Sequence, residues 1–435
     1  MSSARPSPAV ALSPLATIEA AVQERAKEIR LDLGRPGGEQ QLRDLLAEEI
    51  ARWQDDHRRG LRPVAVSDPG GLGERAFRNL ARHGPLTSLL ADDDVWEIMI
   101  NAPDEIFVRR HRGPSGYHHE VFEDDDHVVR TLTKILDEAT GAHRKLDPTE
   151  GLQDAQLDTG ARLHIVHGDL SRGGHLMVNI RKFTGTGFTS LDQLVQRDML
   201  PRAAARFLAA AVRARSTIVF AGPPGAGKTT MLSCCAGELD PGLRVVTAEE
   251  VFELDVPLAN VASMQTRAAR ADRPAIDLRR LVSGFLRMAP DVAIVGEVRD
   301  REALPLLLTL SSGVKGFTTI HAGSARQALT RLRFICQLAD TRSEIPMSAL
   351  NALVSEAIDL VVHVDRGPAG PQVTEIVAVE DPAGGPDSPA FTTTEVFRRR
   401  TSGDPLAWSG QVPARLARAF ERAGIDLRAA LEATA

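Results

Sequence analysis

A chain of 435 residues, 43% hydrophobic and 25% charged, has the length of roughly two to three domains and the composition of an ordinary globular protein. A formal net charge of -6 and 4% aromatic residues, with Tyr117 the single tyrosine, argue against direct DNA binding, because there is neither a global basic field nor a supply of stacking platforms. No run approaches the roughly eighteen apolar residues of a transmembrane segment, the start lacks the basic flank and apolar core of a signal peptide, and Cys234, Cys235 and Cys336 match neither a disulfide framework nor metal-ligand spacing, so a cytoplasmic location is expected.

In chain order, residues 1 to about 15 are rich in Ser, Pro and Ala and are expected to be disordered. Helical periodicity follows to about 59, as in "QLRDLLAEEIARWQDDHRRG", with Gly60 as a stop, so 1–75 reads as a partly disordered, helical extension. Residues 76–185 mix the helix "DDDHVVRTLTKILDEATGA" with the short strands "EIMINAP", "EIFVRRHR", "RLHIVHG" and "LMVNIRKF", an α+β domain with a largely antiparallel sheet. The glycines of "TGTGFTS" (184–190) predict a hinge. From Leu191 the rhythm changes: "STIVFAG", "LRVVTAEE", "VAIVGEV" and "GFTTIHAG" are apolar runs separated by helical stretches, the pattern of an α/β fold on a buried, mainly parallel sheet. The alternating "DLVVHVDR" and "VTEIVAVEDP" predict a hairpin near the end of this third region, 186–435, followed by a Gly/Pro-rich loop and a polar helical end.

The most specific motif is "GPPGAGKTT": Gly222, Pro223, Pro224, Gly225, Ala226, Gly227, Lys228, Thr229 and Thr230 satisfy G-x-x-x-x-G-K-[ST] between a strand and a helix. The glycines let backbone N–H groups turn inward onto phosphate at a helix start; Lys228 then reaches the β- and γ-phosphates, and the Thr229 hydroxyl is placed for Mg2+. No Asn-Lys-x-Asp sequence selects guanine, so ATP is the expected nucleotide. Hydrolysis also requires groups that orient water, hold the metal and offset developing charge, and in open α/β sheets these stand at the C-terminal strand ends. "VVTAEE" delivers Glu249 and Glu250, "AIVGE" delivers Glu297, and "FTTIHA" delivers His321.

These motifs, in this order, resemble the secretion ATPases of the type II and type IV systems, most closely the tight-adherence pilus ATPases of the CpaF/TadA type. The resemblance covers about 75–365: "LLADDDVWEIMINAPDEIFV", "DAQLDTGARLHIV" and "VNIRKF" precede the P-loop, "RVVTAEEVFEL" matches the Asp box, "LRMAPDVAIVGEVRD" the Walker B segment and "GFTTIHAGSARQALTRL" the His box. It implies a RecA-like P-loop core behind an α+β N-terminal domain, an ATP- and Mg2+-dependent motor, a homo-hexamer, and an integral-membrane platform protein as partner at the cytoplasmic membrane face. Position by position, it implies that Glu249 activates water, Glu297 holds Mg2+ or the attacking water, His321 senses the γ-phosphate, Arg181 approaches bound nucleotide and links domain position to its state, and Arg299 is the arginine after Walker B, counted among the catalytic residues. The structural alternative for the arginines is simple pairing, for instance Arg299 with Asp300. Three positions depart from the pattern: Glu250 replaces an aspartate, which leaves the choice of base between Glu249 and Glu250 open, Val314 stands at the first His-box histidine, and Gly323 where Asn is common. These departures point to slow or partner-dependent turnover. Two other readings stand beside the pilus or protein-secretion motor: a conjugation-type ATPase exporting DNA or effectors, and an ATP-binding switch that barely hydrolyses.

Overall fold

The computed structural model describes residues 13–432 except 111–112, 139–144, 183–187, 268, 270–273, 340–344, 368–369, 383–389 and 402. Residues 1–12 of the Ser/Pro-rich start and most of the glycine-rich stretch read as a hinge lie outside the described residues, while Pro14 and Leu15, expected to be disordered, open a helix. The chain divides into two units, Met1–Thr184 and Gly185–Ala435.

In the first unit, α1 (Pro14–Glu28), α2 (Gly38–Arg58) and α3 (Pro69–Ala81) enclose Leu15, Ile18, Val22, Leu46, Ile50 and Phe77. The Ser13 side chain starts α1 by accepting the Ala16 N–H. Gly60, at φ 75°, follows the end of α2 in the left-handed region that favours glycine. Helix α3 runs through 75/76, so the helical region extends into the segment expected to open the α+β domain. After α4 (Leu86–Ala91) come β1 (Val95–Ala102), β2 (Glu105–Arg110), β3 (Gly116–Tyr117), α5 (Asp125–Glu138), β4 (Leu152–Gln156), β5 (Arg162–Val166) and β6 (Met177–Arg181). They form a sheet of order β3-β2-β1-β6-β5-β4 with antiparallel neighbours throughout. Ile98, Ile100, Leu163, Ile165, Val178 and Ile180 turn one face toward Val128, Leu132 and Ile135 of α5, the one-sided burial that alternation predicts. Strand β4 escapes sequence reading because "LQDAQ" is polar; its inward residue is Gln153, which donates to the Lys145 carbonyl and accepts the Asp147 N–H.

The second unit opens with α6 (Leu191–Gln196) and α7 (Arg202–Arg213), then β7 (Ile218–Ala221), α8 (Lys228–Ala236), β8 (Val245–Glu249), β9 (Val261–Gln265), α9 (Leu278–Val282), β10 (Val292–Val295), α10 (Ala303–Ser311), β11 (Lys315–Ile320), α11 (Ala325–Ala339) and α12 (Met347–Ala357). It ends with β12 (Leu360–Gly367), β13 (Gly370–Val379), β14 (Thr393–Arg398), β15 (Ala407–Trp408), α13 (Ala414–Arg422) and α14 (Leu427–Glu432). Its sheet has the order β15-β14-β13-β12-β7-β11-β10-β8-β9, parallel from β12 to β9 and antiparallel from β12 to β15. Successive residues serve opposite faces. Ile218 and Phe220 join the core under α7 and α8, while Val219 and Ala221 join the one under α10–α12. That is why "TIVFA" and "VAIV" read as unbroken apolar runs. The edge strand β9, "VASMQ", and β14 go beyond the elements read from sequence; both are half-polar and take strand form by pairing with β8 and β13.

Candidate nucleotide site

The P-loop connects β7, central in the sheet, to α8. Gly222 sits at φ 152°, and a Cβ added there would lie 2.0 Å from the Val364 carbonyl oxygen, so the loop enters against the backbone of β12 where only glycine fits. Gly225 (φ 70°) and Gly227 (φ 88°) complete the turn, and Gly227 caps the nine-residue α8 from the left-handed region. Fully buried Ala226 anchors the loop to the core. Pro223, Pro224, Thr229 and Thr230 stay accessible along the loop and first helical turn. The arrangement presents the positive end of a helix on a glycine-rich turn, a cradle for polyphosphate. Lys228 is 7% exposed, and its Nζ donates to the Pro223 carbonyl at 2.9 Å, so the ammonium lies over the loop.

Because β7, β11, β10 and β8 are consecutive parallel neighbours, their C-terminal ends stand side by side, and a continuous chain of polar contacts follows their order. His321, after β11, has Nδ1 3.3 Å from Lys228 Nζ and 3.3 Å from the Gly222 carbonyl. Its Nε2 lies 2.7 Å from Glu297 Oε1. Glu297 Oε2 accepts from Arg299 Nη2 at 2.7 Å, and Arg299 Nη1 donates to Glu250 Oε2 at 3.0 Å. Arg299 therefore bridges Glu297 and Glu250, which the sequence alternative of a pair with Asp300 did not anticipate. Burial works against ionisation of Glu297, but hydrogen bonds from His321 and Arg299 outweigh it and bring its pKa down to about 2. Glu297 is a carboxylate at any physiological pH.

Glu249 is placed differently. It is 3% exposed, its Oε1 accepts the N–H groups of Glu253 and Leu254 at 3.0 Å each, and it packs against Gly296, where an added Cβ would lie 3.0 Å from Glu249 Cγ. The carboxylate thus closes the loop after β8 directly behind the Glu297 strand end. Val314 precedes β11, at the opposite end of that strand from His321, and packs on the core. Six residues of extended chain span about 20 Å. The substitution at 314 therefore takes no group away from this cluster. Arg181 is the last residue of β6 in the first unit, paired in register with Glu97 and Arg162, and exposed.

Residues 79–366 match the family model described as "Type II/IV secretion system protein". The chain belongs to that family. It is 32% identical over 302 residues to the "Type IV secretion system protein PtlH" of Bordetella pertussis, covering 64% of this chain and 87% of that one. It is also 32% identical over 231 residues to the "Conjugal transfer protein TrbB" of Rhizobium radiobacter, covering 50% and 68%. Among solved structures, the VirB11 ATPase of the Brucella suis type IV secretion system matches at 25% identity over 67% of this chain and 94% of that one, with a TM-score of 0.35, too loose a superposition to say more about the site. Family membership together with the P-loop makes the chain an ATPase.

For a secretion-family ATPase the substrate is ATP, typically with Mg2+. The residues present fit the phosphates: three glycines at positive φ, a helix start and a lysine share one loop. They also fit a hard cation held mainly by phosphate and water, for which Thr229 supplies a hydroxyl at the head of α8. Among the described residues no group of three or more His, Cys, Asp or Glu is placed to hold a metal ion. Both Glu297 oxygens are engaged, Oε1 by His321 and Oε2 by Arg299. Among the described residues, no helix is long and apolar enough to cross a membrane.

Several residues that shape the site carry no local signal. Glu302, 5% exposed, accepts the N–H groups of Arg299 and Asp300 at 2.5 and 2.8 Å, which fixes the turn carrying Arg299. Thr319 Oγ1 donates to the Gly296 carbonyl at 2.7 Å, and the Gly296 N–H goes to Ala248, so the exit of β10 is held from both neighbouring strands. Only the turn geometry and the strand order bring these groups into play.

Proposed function

We propose that this ATPase is the motor of a pilus-assembly or protein-secretion machine, of the tight-adherence type, working as a homo-hexamer with a RecA-like core against an integral-membrane platform protein at the cytoplasmic membrane face. The observation that carries the motor reading is the polar chain from Lys228 through His321, Glu297 and Arg299 to Glu250, which joins the phosphate loop to three further strand ends. Lys228 binds the β- and γ-phosphates and, in doing so, turns away from His321. His321 and Glu297 then rearrange, and Glu297 orients the attacking water. Glu249 braces the strand end and serves as the partner base. When bound with ATP, Mg2+ offsets the charge developing on the phosphates; Thr229 and Glu297 would hold it. Arg299 holds Glu297 and Glu250 together as the carboxylates rearrange, and Arg181 is the arginine that the resemblance links to bound nucleotide.

A second reading is a conjugation-type ATPase, favoured by the name of the TrbB relative. Net charge and scarce aromatics leave any DNA contact to a partner. The switch reading is separated by turnover. We expect Lys228→Ala to lose nucleotide binding, and Glu297→Gln to bind ATP while hydrolysing it at least tenfold more slowly in a steady-state phosphate-release assay. Wild-type turnover in Glu297→Gln would overturn the site assignment, and negligible turnover in the wild type would favour the switch.

A further inference from the structure

The flank of the P-loop opposite Glu297 is formed by the β12–β13 hairpin. His363 stands on β12 in register with Ala221, the residue before the P-loop, and is 4% exposed. Its Nε2 lies 3.3 Å from the carbonyl oxygen of Ala322, the residue that follows His321, and its Nδ1 lies 2.6 Å from Thr374 Oγ1. A carbonyl oxygen only accepts, so Nε2 carries the proton; the single Thr374 hydroxyl proton has two acceptors in reach, His363 Nδ1 at 2.6 Å and the His363 carbonyl at 3.3 Å, and the shorter contact assigns it to Nδ1. On β13, Glu375 pairs in register with His363, and its Oε1 accepts the Ala325 N–H at 2.5 Å, at the first turn of α11. The hairpin thus holds the 322–325 turn at both ends. The same hairpin meets the P-loop itself, through the Val364 carbonyl against Gly222 and through Pro371, whose Cβ is 3.4 Å from the position of a Cβ at Gly227.

We propose that His363 is a positioning residue for ATP hydrolysis: through the Ala322 carbonyl it holds the turn that carries His321 beside Lys228 and Glu297, so that His321 stays within reach of both while they exchange partners. This rests on the reading that His321 belongs to the hydrolytic site. A group displaced by about 1 Å can cost on the order of a hundredfold in rate while binding is preserved, because only the reacting geometry depends on it. A buried histidine that merely packs would lower stability without a selective loss of kcat.

The test is single-turnover ATP hydrolysis and fluorescent-ADP binding by the full chain carrying His363→Ala, His363→Phe or His363→Gln, each also made in a His321→Ala background. We expect His363→Ala and His363→Phe to lower the hydrolysis rate about ten- to a hundredfold with ADP affinity within about twofold of wild type. Glutamine, whose Nε2 amide replaces the lost donor, should recover most of that rate. In the His321→Ala background the His363 changes should have little further effect, since groups acting through one another are not additive. Independent, multiplying effects, or an unchanged rate in His363→Phe, would overturn the positioning role while leaving the site reading intact. Full activity in His321→Ala would instead sink the site reading, and the role of His363 with it. Should His363→Ala fail to fold, His363→Phe, which keeps a ring in the cavity, and Thr374→Val, which removes the hydroxyl fixing the tautomer, carry the same comparison.

Discussion

Glu297 is the residue on which the local electrostatics converge. Its two oxygens meet His321 and Arg299, each at 2.7 Å, and its pKa falls to about 2 despite burial. An acid whose folded pKa lies below its ordinary value contributes stability above that ordinary value, here 4.5, and loses it as pH falls toward 2. The acid limb of the stability curve should therefore be shallower in Glu297→Gln than in wild type, by at most about 3 kcal/mol between pH 2 and 5, read from denaturant midpoints. The pH–rate profile, in turn, should show no inflection from this carboxylate between pH 5 and 9; loss of such an inflection in Glu297→Gln would contradict the ion-paired geometry. Reading "AIVGEVRD" alone places an acid at a strand exit. Whether that acid is solvated or doubly paired depends on how Arg299, two positions on, is oriented and on His321, 24 positions further along the chain and outside any local window.

At the scale of elements, the first three helices carry a buried acid of the opposite kind. Glu19 of α1 is 8% exposed, its Oε1 accepts from Asn79 Nδ2 of α3 at 2.7 Å, and burial, only partly offset by that bond, raises its pKa to about 7. With the folded pKa raised, the favourable term is complete below 4.5 and is lost as pH rises through 7. Glu19→Gln keeps an acceptor for Asn79 and removes the charge, so it should stabilise this helical cluster by roughly 1–3 kcal/mol at pH 8 and by little at pH 4, measured by urea unfolding at both pH values. A constant difference across that range would rule out the raised acid as its cause. The pairing of β12 with β13 is another feature decided between elements: the alternation of "DLVVHVDR" predicts a hairpin strand, yet the place of His363 beside the P-loop appears only once β12 lies beside β7.

At the scale of the molecule, the family's relatives are named for secretion and for conjugal transfer, and the present chain brings its candidate groups together at the C-terminal ends of neighbouring strands of one sheet. A motor built from it should assemble. Native mass measurement at micromolar concentration with a non-hydrolysable ATP analogue is expected to give six chains per particle; a strict monomer under those conditions would count against the ring and favour the regulatory switch. The neighbouring genes would separate pilus assembly from conjugation, since no motif in this chain specifies an exported substrate.

Local sequence determined the parts of this protein that obey short-range rules. The P-loop follows from glycines, a lysine and a threonine at set spacing, and the parallel strands from apolar runs that must be buried on both faces. The alternating and helical periods likewise marked most strands and helices of the first unit. Polar strands such as β4 and β9 were not legible, because what makes them strands is the hydrogen bonding of a neighbour rather than a pattern of their own. The tertiary structure alone decided which ends meet. The strand order β12-β7-β11-β10-β8 sets His363, Lys228, His321, Glu297 and Glu250 in one row although they are spread over more than a hundred residues of chain, turns Glu249 back onto its own loop, and puts Val314 at the far end of its strand. Crossover connections choose that order by burying the helices on both faces of the sheet, a global packing condition that no single stretch of sequence expresses.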